Sequence, residues 1–185
     1  MGAQQDDTAT TSLRLLNRYY RERPTTGAEG HSYIGNSPRA TATSPGLPYN
    51  ATVTELIDAS AQEIAAHAHA VNPDAGPLPP VVDSIYDWYE ENIKNADAME
   101  RQRGQVMLYR QHLEHAIAIG DTSVIRPHRC PACHTFGLMW REARQRVLCT
   151  NGRCRGRDGM SRTWTLGKLA YEHVAAEKMS RECAT

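Results

Sequence analysis

Four of the five cysteines in this 185-residue chain lie close together, at a spacing that suits a metal site. Two residues separate Cys130 from Cys133, four separate Cys149 from Cys154, and fifteen lie between the two pairs. Structural zinc takes a tetrahedron of ligands; each short turn between two cysteines supplies two thiolates, and a longer spacer brings the pairs together. The spacing therefore predicts that these four cysteines bind one Zn2+ with a structural role.

Other uses of the same thiols fit the sequence less well. A redox C-x-x-C motif belongs beside a strand-helix unit and comes without a second pair of cysteines. A catalytic zinc keeps an open coordination position and needs a proton-transferring group close by. His128 and His134 flank the first pair, so either could replace a cysteine as ligand or lie exposed beside the site. Cys183 stands near the C-terminus and is predicted to be a free surface thiol.

Four further histidines lie in segments with helical periodicity: His67, His69, His112 and His115. No carboxylate pattern typical of a metal site surrounds them, so they are predicted to be solvated side chains on helix surfaces. The chain also lacks a glycine-rich phosphate loop, a G-x-S-x-G motif and an H-E-x-x-H motif. The protein is therefore predicted not to be an enzyme.

Positive charge follows the cysteines along the chain. Residues 125–185 carry 12 Lys+Arg against 5 Asp+Glu, a net charge of +7, whereas residues 1–124 carry 9 against 16, a net charge of −7. A guanidinium group can donate two parallel hydrogen bonds to one phosphate. Nucleic-acid contact is therefore predicted for seven arginines: Arg141, Arg144, Arg146, Arg153, Arg155, Arg157 and Arg162. The alternative is that the arginines cover the acidic helical unit at residues 51–121.

The spacer between the two cysteine pairs has the pattern of a β-hairpin. Residues 136–140 are apolar and are predicted to form a strand, residues 141–144 a charged turn, and residues 145–148 a return to the second pair. Residues 161–166 could add a third strand. Trp140 and Trp164 lie among the arginines, where their rings could stack on unpaired bases or form the small core of this unit.

This part of the chain resembles a zinc ribbon. The matching features are CPAC at Cys130–Cys133, CTNGRC at Cys149–Cys154, and Trp164 in RTWTLGKL, and the resemblance covers residues 126–170. Two features depart from it: the second turn has four intervening residues where two are usual, and His134 and Arg155 follow the cysteines where glycine is frequent. The wider layout is similar to small helical-plus-zinc-ribbon proteins of actinobacteria and their phages. The resemblance implies a metal-binding fold and no mechanism.

The preceding residues, 51–121, are predicted to form an acidic helical unit. Residues 52–55 read as a capping box, an apolar stripe follows, and Asn72-Pro73 ends the first helix. Pro79-Pro80 is predicted to begin a second helix, and the apolar pattern continues from Asn95 to Gly120. Residues 95–97 either divide that stretch or lie inside one long helix, so the unit is a helical hairpin or a three-helix unit. Its apolar faces could also pair two copies of the chain.

The complete prediction is an α plus small zinc ribbon fold. A flexible arm with a possible short helix at residues 12–23 occupies residues 1–50, the helical unit residues 51–121, and the basic ribbon residues 122–170. A C-terminal helix and tail follow in residues 171–185. With no apolar stretch of about 20 residues and no signal-peptide pattern, the protein is predicted to be cytoplasmic and to have no membrane partner.

Two functions from different classes follow from these observations. In the first, a non-enzymatic regulator contacts nucleic acid through the ribbon. In the second, the ribbon is only a structural staple for a protein-interaction module, such as an inhibitor or adaptor of a larger host or phage complex. The two differ in salt dependence, because phosphate contacts release counterions and apolar docking does not.

Overall fold

A computed structural model describes residues 51–183 of the chain. The predicted arm at residues 1–50, with its possible helix at residues 12–23, lies outside the described residues. The elements, in chain order, are helices α1 (Ala51–Val71), α2 (Ile85–Ile93) and α3 (Ala98–Ala118), strands β1 (Leu138–Arg141), β2 (Arg146–Cys149) and β3 (Thr163–Trp164), and helix α4 (Leu166–Glu182). Three helices, a small sheet and a C-terminal helix confirm the predicted fold class.

The ends of the first two helices follow from proline positions. Helix α1 ends at Val71, directly before Asn72-Pro73, as predicted. The prediction that Pro79-Pro80 begins the second helix is wrong, because α2 starts only at Ile85. Pro80 disfavours helical backbone at Pro79, and Val81 is extended, at φ −96° and ψ 118°. A single 3-10 turn at residues 82–84 then leads into the helix.

An N-cap decides the question that the sequence left open at residues 95–97. Asp97 has extended backbone angles, and its carboxylate accepts hydrogen bonds from the N–H groups of Met99, at 2.9 Å, and Glu100, at 2.8 Å. These bonds satisfy donors that have no partner within the helix. Helix α3 therefore begins at Ala98, and residues 51–118 contain three helices and not a hairpin of two.

The first hydrophobic core lies between α1, α2 and α3. The apolar stripe predicted for α1 is buried at Val53, Ile57, Ile64 and Ala68. Its partners on the other two helices are Ile85, Tyr86, Tyr89, Met107 and Leu108. The three amphipathic faces thus pack against one another within one chain.

The ribbon sheet is antiparallel, in the order β1-β2-β3. Leu138 pairs with Cys149 and Arg141 with Arg146, so the hairpin carries the second cysteine pair back toward the first. The turn closes with Gln145 in the left-handed region, at φ 48°. Strand β1 starts at Leu138, two residues later than predicted. Phe136 is exposed, and its ring centroid lies 4.2 Å from the guanidinium carbon of Arg129.

The second core joins the ribbon to α3 and α4, which pack against each other. It contains Leu113 of α3, Leu169 of α4 and Val147 of β2, together with Cys130 and Cys149. Helix α4 starts at Leu166, within the range that the sequence assigned to the ribbon, because the hydroxyl of Thr165 accepts from the N–H of Lys168 at 3.1 Å and caps it. The ribbon and its cysteines therefore pack against the paired helices α3 and α4.

None of the helices formed by residues 51–183 is long and apolar enough to cross a membrane.

Candidate metal centre

The first cysteine pair lies on a tight turn closed by backbone hydrogen bonds. The N–H of Cys130 donates to the carbonyl of Thr135 at 2.9 Å, and the N–H of His134 donates to the carbonyl of Cys130 at 2.8 Å. His134 adopts φ 54°, in the left-handed region. Zinc ribbons frequently have glycine at this position, where this chain has histidine. Glycine suits it because a residue without a Cβ adopts a positive φ without strain.

The second pair accommodates its longer spacing by a turn at Asn151. The N–H of Cys154 donates to the carbonyl of Asn151 at 2.8 Å, and the side-chain oxygen of Asn151 accepts from the N–H of Arg153 at 3.0 Å. An asparagine side chain that bonds the backbone two residues on stabilises such turns. The extra residues therefore form a compact loop, and Cys149 and Cys154 both reach the first pair.

All four thiols meet at one point. The Sγ atoms of Cys130, Cys133, Cys149 and Cys154 lie within 4.8 Å of one another. Cys130 and Cys154 are 3.8 Å apart and Cys133 and Cys149 are 3.7 Å apart, well beyond a disulfide bond. Zinc with four sulfur ligands at about 2.3 Å in a tetrahedron requires sulfurs about 3.8 Å apart. The cluster is thus a possible metal site, and its sulfur–sulfur distances fit a metal ion bound by four thiolates in a tetrahedron.

Electrostatics also favours a cation between these thiols. Burial, followed by hydrogen bonds to the neighbouring thiols, raises the pKa of Cys154 to about 12, and burial raises the pKa of Cys149. Cys133 differs, because hydrogen bonds from the side chain and backbone of Thr135 lower its pKa to about 6. Buried thiolates side by side repel one another, and a bound cation removes that cost by favouring the ionised form.

Two polar side chains support Cys133, and the sequence gave no prediction for either. The hydroxyl of Thr135 lies 3.1 Å from the Cys133 sulfur, and the amide nitrogen of Asn151 donates to the same sulfur at 3.7 Å. Groups bonded to the ligands orient them and tune the metal. The signal available in the sequence was the small polar residue two positions after each of Cys133 and Cys149.

Neither flanking histidine joins the thiol cluster within residues 51–183. His134 is exposed. The interpretation of His128 as an exposed residue is wrong: it is 8% exposed, its Nε2 lies 3.3 Å from the hydroxyl of Tyr109, and its ring meets that of His173 edge-on. His128 therefore fastens the start of the ribbon to α3 and α4.

Two of the four helical histidines also contradict the prediction that they are solvated. His115 is fully buried, and its Nε2 lies 2.9 Å from the hydroxyl of Ser60. His67 is 8% exposed and lies between the Tyr89 hydroxyl, at 2.9 Å, and the Glu100 carboxylate, at 3.2 Å. Both rings link helices of the first core, so they have structural roles there.

The arginines predicted to contact nucleic acid are all exposed, and none of the seven forms an ion pair with any of the residues 51–183. They divide by what they bond. Arg155 donates to the carbonyls of Gly152 and Gly159, and Arg162 donates to the carbonyl of Arg155, so these two brace the loop after the second pair. The side chains of the other five donate no hydrogen bond to any residue in the described part of the chain.

The two tryptophans of the ribbon belong to its core. Trp140 and Trp164 are partly buried and pack against the second core cluster. Trp140 stands opposite Val147, which in turn pairs with Trp164, so the three side chains share the inner face of the sheet. Their position supports the core interpretation over stacking on bases.

Comparison of the chain with models of known protein families, with curated proteins and with solved structures gives no match. The four-cysteine cluster on a small three-stranded sheet is consistent with a zinc-ribbon-like module.

Proposed function

We propose that this chain is a non-enzymatic, zinc-binding regulatory protein that contacts nucleic acid through the basic surface of its ribbon. The ion would be Zn2+, held by Cys130, Cys133, Cys149 and Cys154. Four soft sulfur donors at tetrahedral spacing support zinc over the hard cations, which prefer oxygen. Its role would be structural, because four cysteines complete the coordination shell and leave no open position.

Metal content tests the first part of the proposal. The purified protein should contain one zinc per chain, and a Cys149→Ser variant should lose it and unfold the ribbon, because metal binding and folding are linked in such sites. Cys183→Ser is the matched control, since Cys183 is exposed and stands outside the cluster. Zinc retained at full stoichiometry in the Cys149 variant would contradict the four-cysteine site.

The observation that carries the nucleic-acid contact is the pairing of Arg141 with Arg146. The two residues stand directly opposite each other on β1 and β2, where like charges destabilise a sheet. Both are exposed, and neither forms an ion pair within the described part of the chain. An anionic partner such as phosphate would relieve this repulsion. Arg144, in the turn between them, adds a third guanidinium group to the same hairpin.

A binding experiment tests this contact. Zinc-loaded protein is titrated with short labelled duplex and single-stranded oligonucleotides between about 50 and 200 mM salt, where phosphate contacts weaken steeply. The double variant Arg141→Ala, Arg146→Ala should reduce the salt slope by about 2 on a duplex, about 0.9 for each lost phosphate contact. The control is Arg101→Ala, Arg103→Ala, which removes the same charge from the exposed surface of α3.

Absence of binding at the lowest salt would contradict the proposal and favour the second candidate. In that candidate the ribbon is a structural staple of a protein-interaction module, an inhibitor or adaptor of a larger complex. The supporting observation is that Cys130 and Cys149 share one buried cluster with Leu113 and Leu169. Binding that persists at high salt to a protein partner would identify this function. A homodimer formed through residues 51–121 stays a prediction, which sedimentation would test.

A further inference from the structure

A large groove lies where three helices meet the ribbon. It has a volume of about 1080 Å³ and lies between the start of α1, the end of α3, the β1–β2 hairpin and the start of α4. We call it the interhelical groove. Its apolar lining comes from all four sides: Val53 and Leu56, Ile117, Trp140, and Leu166. Its volume lies just above the range of about 300–1,000 Å³ that is typical of small-molecule pockets. Because the groove also runs across four elements, its size and length suit a segment of polypeptide chain.

Three carboxylates and one guanidinium group line the interhelical groove, those of Glu55, Glu114, Glu142 and Arg110, so its lining is net acidic. Glu55 and Glu142 are exposed carboxylates on opposite sides, and neither forms an ion pair within residues 51–183. Glu114 also lines it, but Arg110 neutralises this carboxylate and that of Glu63 through ion pairs. A basic segment with an apolar face would therefore complement the groove in both charge and polarity.

The chain itself contains such a segment at residues 12–23, SLRLLNRYYRER. It carries four arginines against one glutamate. Its apolar residues recur near helical spacing at Leu13, Leu15, Leu16, Tyr19 and Tyr20. No other part of residues 1–50 combines large apolar side chains with a net positive charge of this size.

The path of the chain brings this segment within reach of the groove. The described residues begin at Ala51, and Val53 lies in the groove wall two residues later. Residues 24–50 connect the segment to that point. Because these 27 residues can span up to roughly 90 Å when fully extended, the segment can reach every part of the groove. Attachment at the edge of a binding site gives an effective concentration on the order of millimolar.

We propose that residues 12–23 bind in the interhelical groove of the same chain. Their apolar face covers Leu56, Ile117 and Trp140, and their arginines pair with the carboxylates of Glu55 and Glu142. The segment would then cover one side of the β1–β2 hairpin, next to the arginines of the ribbon.

Hydrogen exchange of the full-length, zinc-loaded protein, read by mass spectrometry, tests this inference. The amides of residues 12–23 should exchange about tenfold or more slowly than an unstructured chain, and equally at high and at hundredfold lower protein concentration. The charge reversal Arg14→Glu, Arg18→Glu should abolish this protection. Combining it with Glu55→Arg, Glu142→Arg should restore the protection, whereas the control Arg39→Glu should not affect it.

Three results would overturn the inference. Residues 12–23 could exchange at the unstructured rate in the wild type, their protection could survive Arg14→Glu, Arg18→Glu, or protection could disappear on dilution. The last result would assign the groove to a second copy of the chain. Exchange of the α3 amides provides the folding check, because these amides report the cores and should be equally protected in every variant.

Discussion

The buried histidine of α3 makes the stability of the fold depend on pH in a defined direction. His115 is fully buried, and burial, followed by the charges of His112 and Arg110, lowers its pKa from 6.5 to about 4. In the unfolded chain the pKa of the ring returns to its ordinary value of 6.5. Between pH 6.5 and 4 the unfolded chain therefore binds a proton that the folded protein does not bind, and stability falls as the pH falls.

The size of the effect follows from the two pKa values of His115. A difference of about 2.5 corresponds to at most about 3.4 kcal/mol, of which about 2 kcal/mol is lost between pH 7 and pH 5. The remainder is lost as the pH falls through about 4, where the folded ring is itself protonated, and about one pH unit lower His115 contributes no further pH dependence.

A matched pair of variants isolates this contribution. Replacing His115 by Gln keeps a side-chain group near the Ser60 hydroxyl but removes the titrating ring, so the variant should be less stable at pH 7 and should lose about 2 kcal/mol less between pH 7 and pH 5. His69→Gln, which makes the same substitution at an exposed histidine of α1, is the matched control.

Urea denaturation, followed by far-UV circular dichroism at pH 5, 6 and 7 with zinc present, measures the free energy of unfolding of the wild type and of the two variants. Loss of zinc in acid affects all of them equally, so the comparison cancels it. If the His115 variant and the wild type lose the same stability between pH 7 and pH 5, the reasoning from burial is refuted.

Two further predictions concern substitutions to or from glycine, and urea denaturation measures their effect on the free energy of unfolding. Gly104→Ala should destabilise the protein by about 1–3 kcal/mol despite the better helix propensity of alanine, because the new Cβ would lie 2.2 Å from the hydroxyl of the buried Tyr89. Gly76→Ala, which meets nothing within 4 Å, is its control, and equal stability of the two variants would contradict the steric argument. His134→Gly should stabilise the ribbon by about 0.5–1 kcal/mol, because glycine accepts the left-handed φ of 54° without strain. The variant should also keep one zinc per chain, and loss of zinc would instead make His134 a ligand.

The sequence predicts those features that depend on neighbouring residues. The approach of the two cysteine pairs follows from spacing, because each pair lies on one short turn and one hairpin connects them. The end of α1 at Asn72-Pro73 is local in the same way. The start of α3 was left open because apolar periodicity runs through residues 95–97, and only the backbone angles at Asp97 show that its side chain acts as a cap.

The sequence could not predict which polar side chains the cores would enclose. His115 stands four residues after Gln111 and seven after Leu108, so all three share one face of α3, and all are buried. The sequence alone does not show whether such a polar residue is buried or solvated, because burial requires a hydrogen-bonding partner. The partner of His115 is Ser60, 55 positions away. The docking of the ribbon on Leu113 and Leu169 depends on equally distant contacts.

The ribbon lies between two helices, α3 and α4, that are neighbours in the fold. The end of α3 and the start of α4 line one groove, while residues of their opposite ends line another, so the two helices are antiparallel neighbours. The ribbon leaves and re-enters the helices at adjacent points, which is the topology of an insertion in a helical hairpin. Chain continuity would therefore allow a short loop to replace it. Excising the ribbon would nevertheless uncover Leu113 and Leu169, so an engineered ribbon-free form would need polar residues at these two positions.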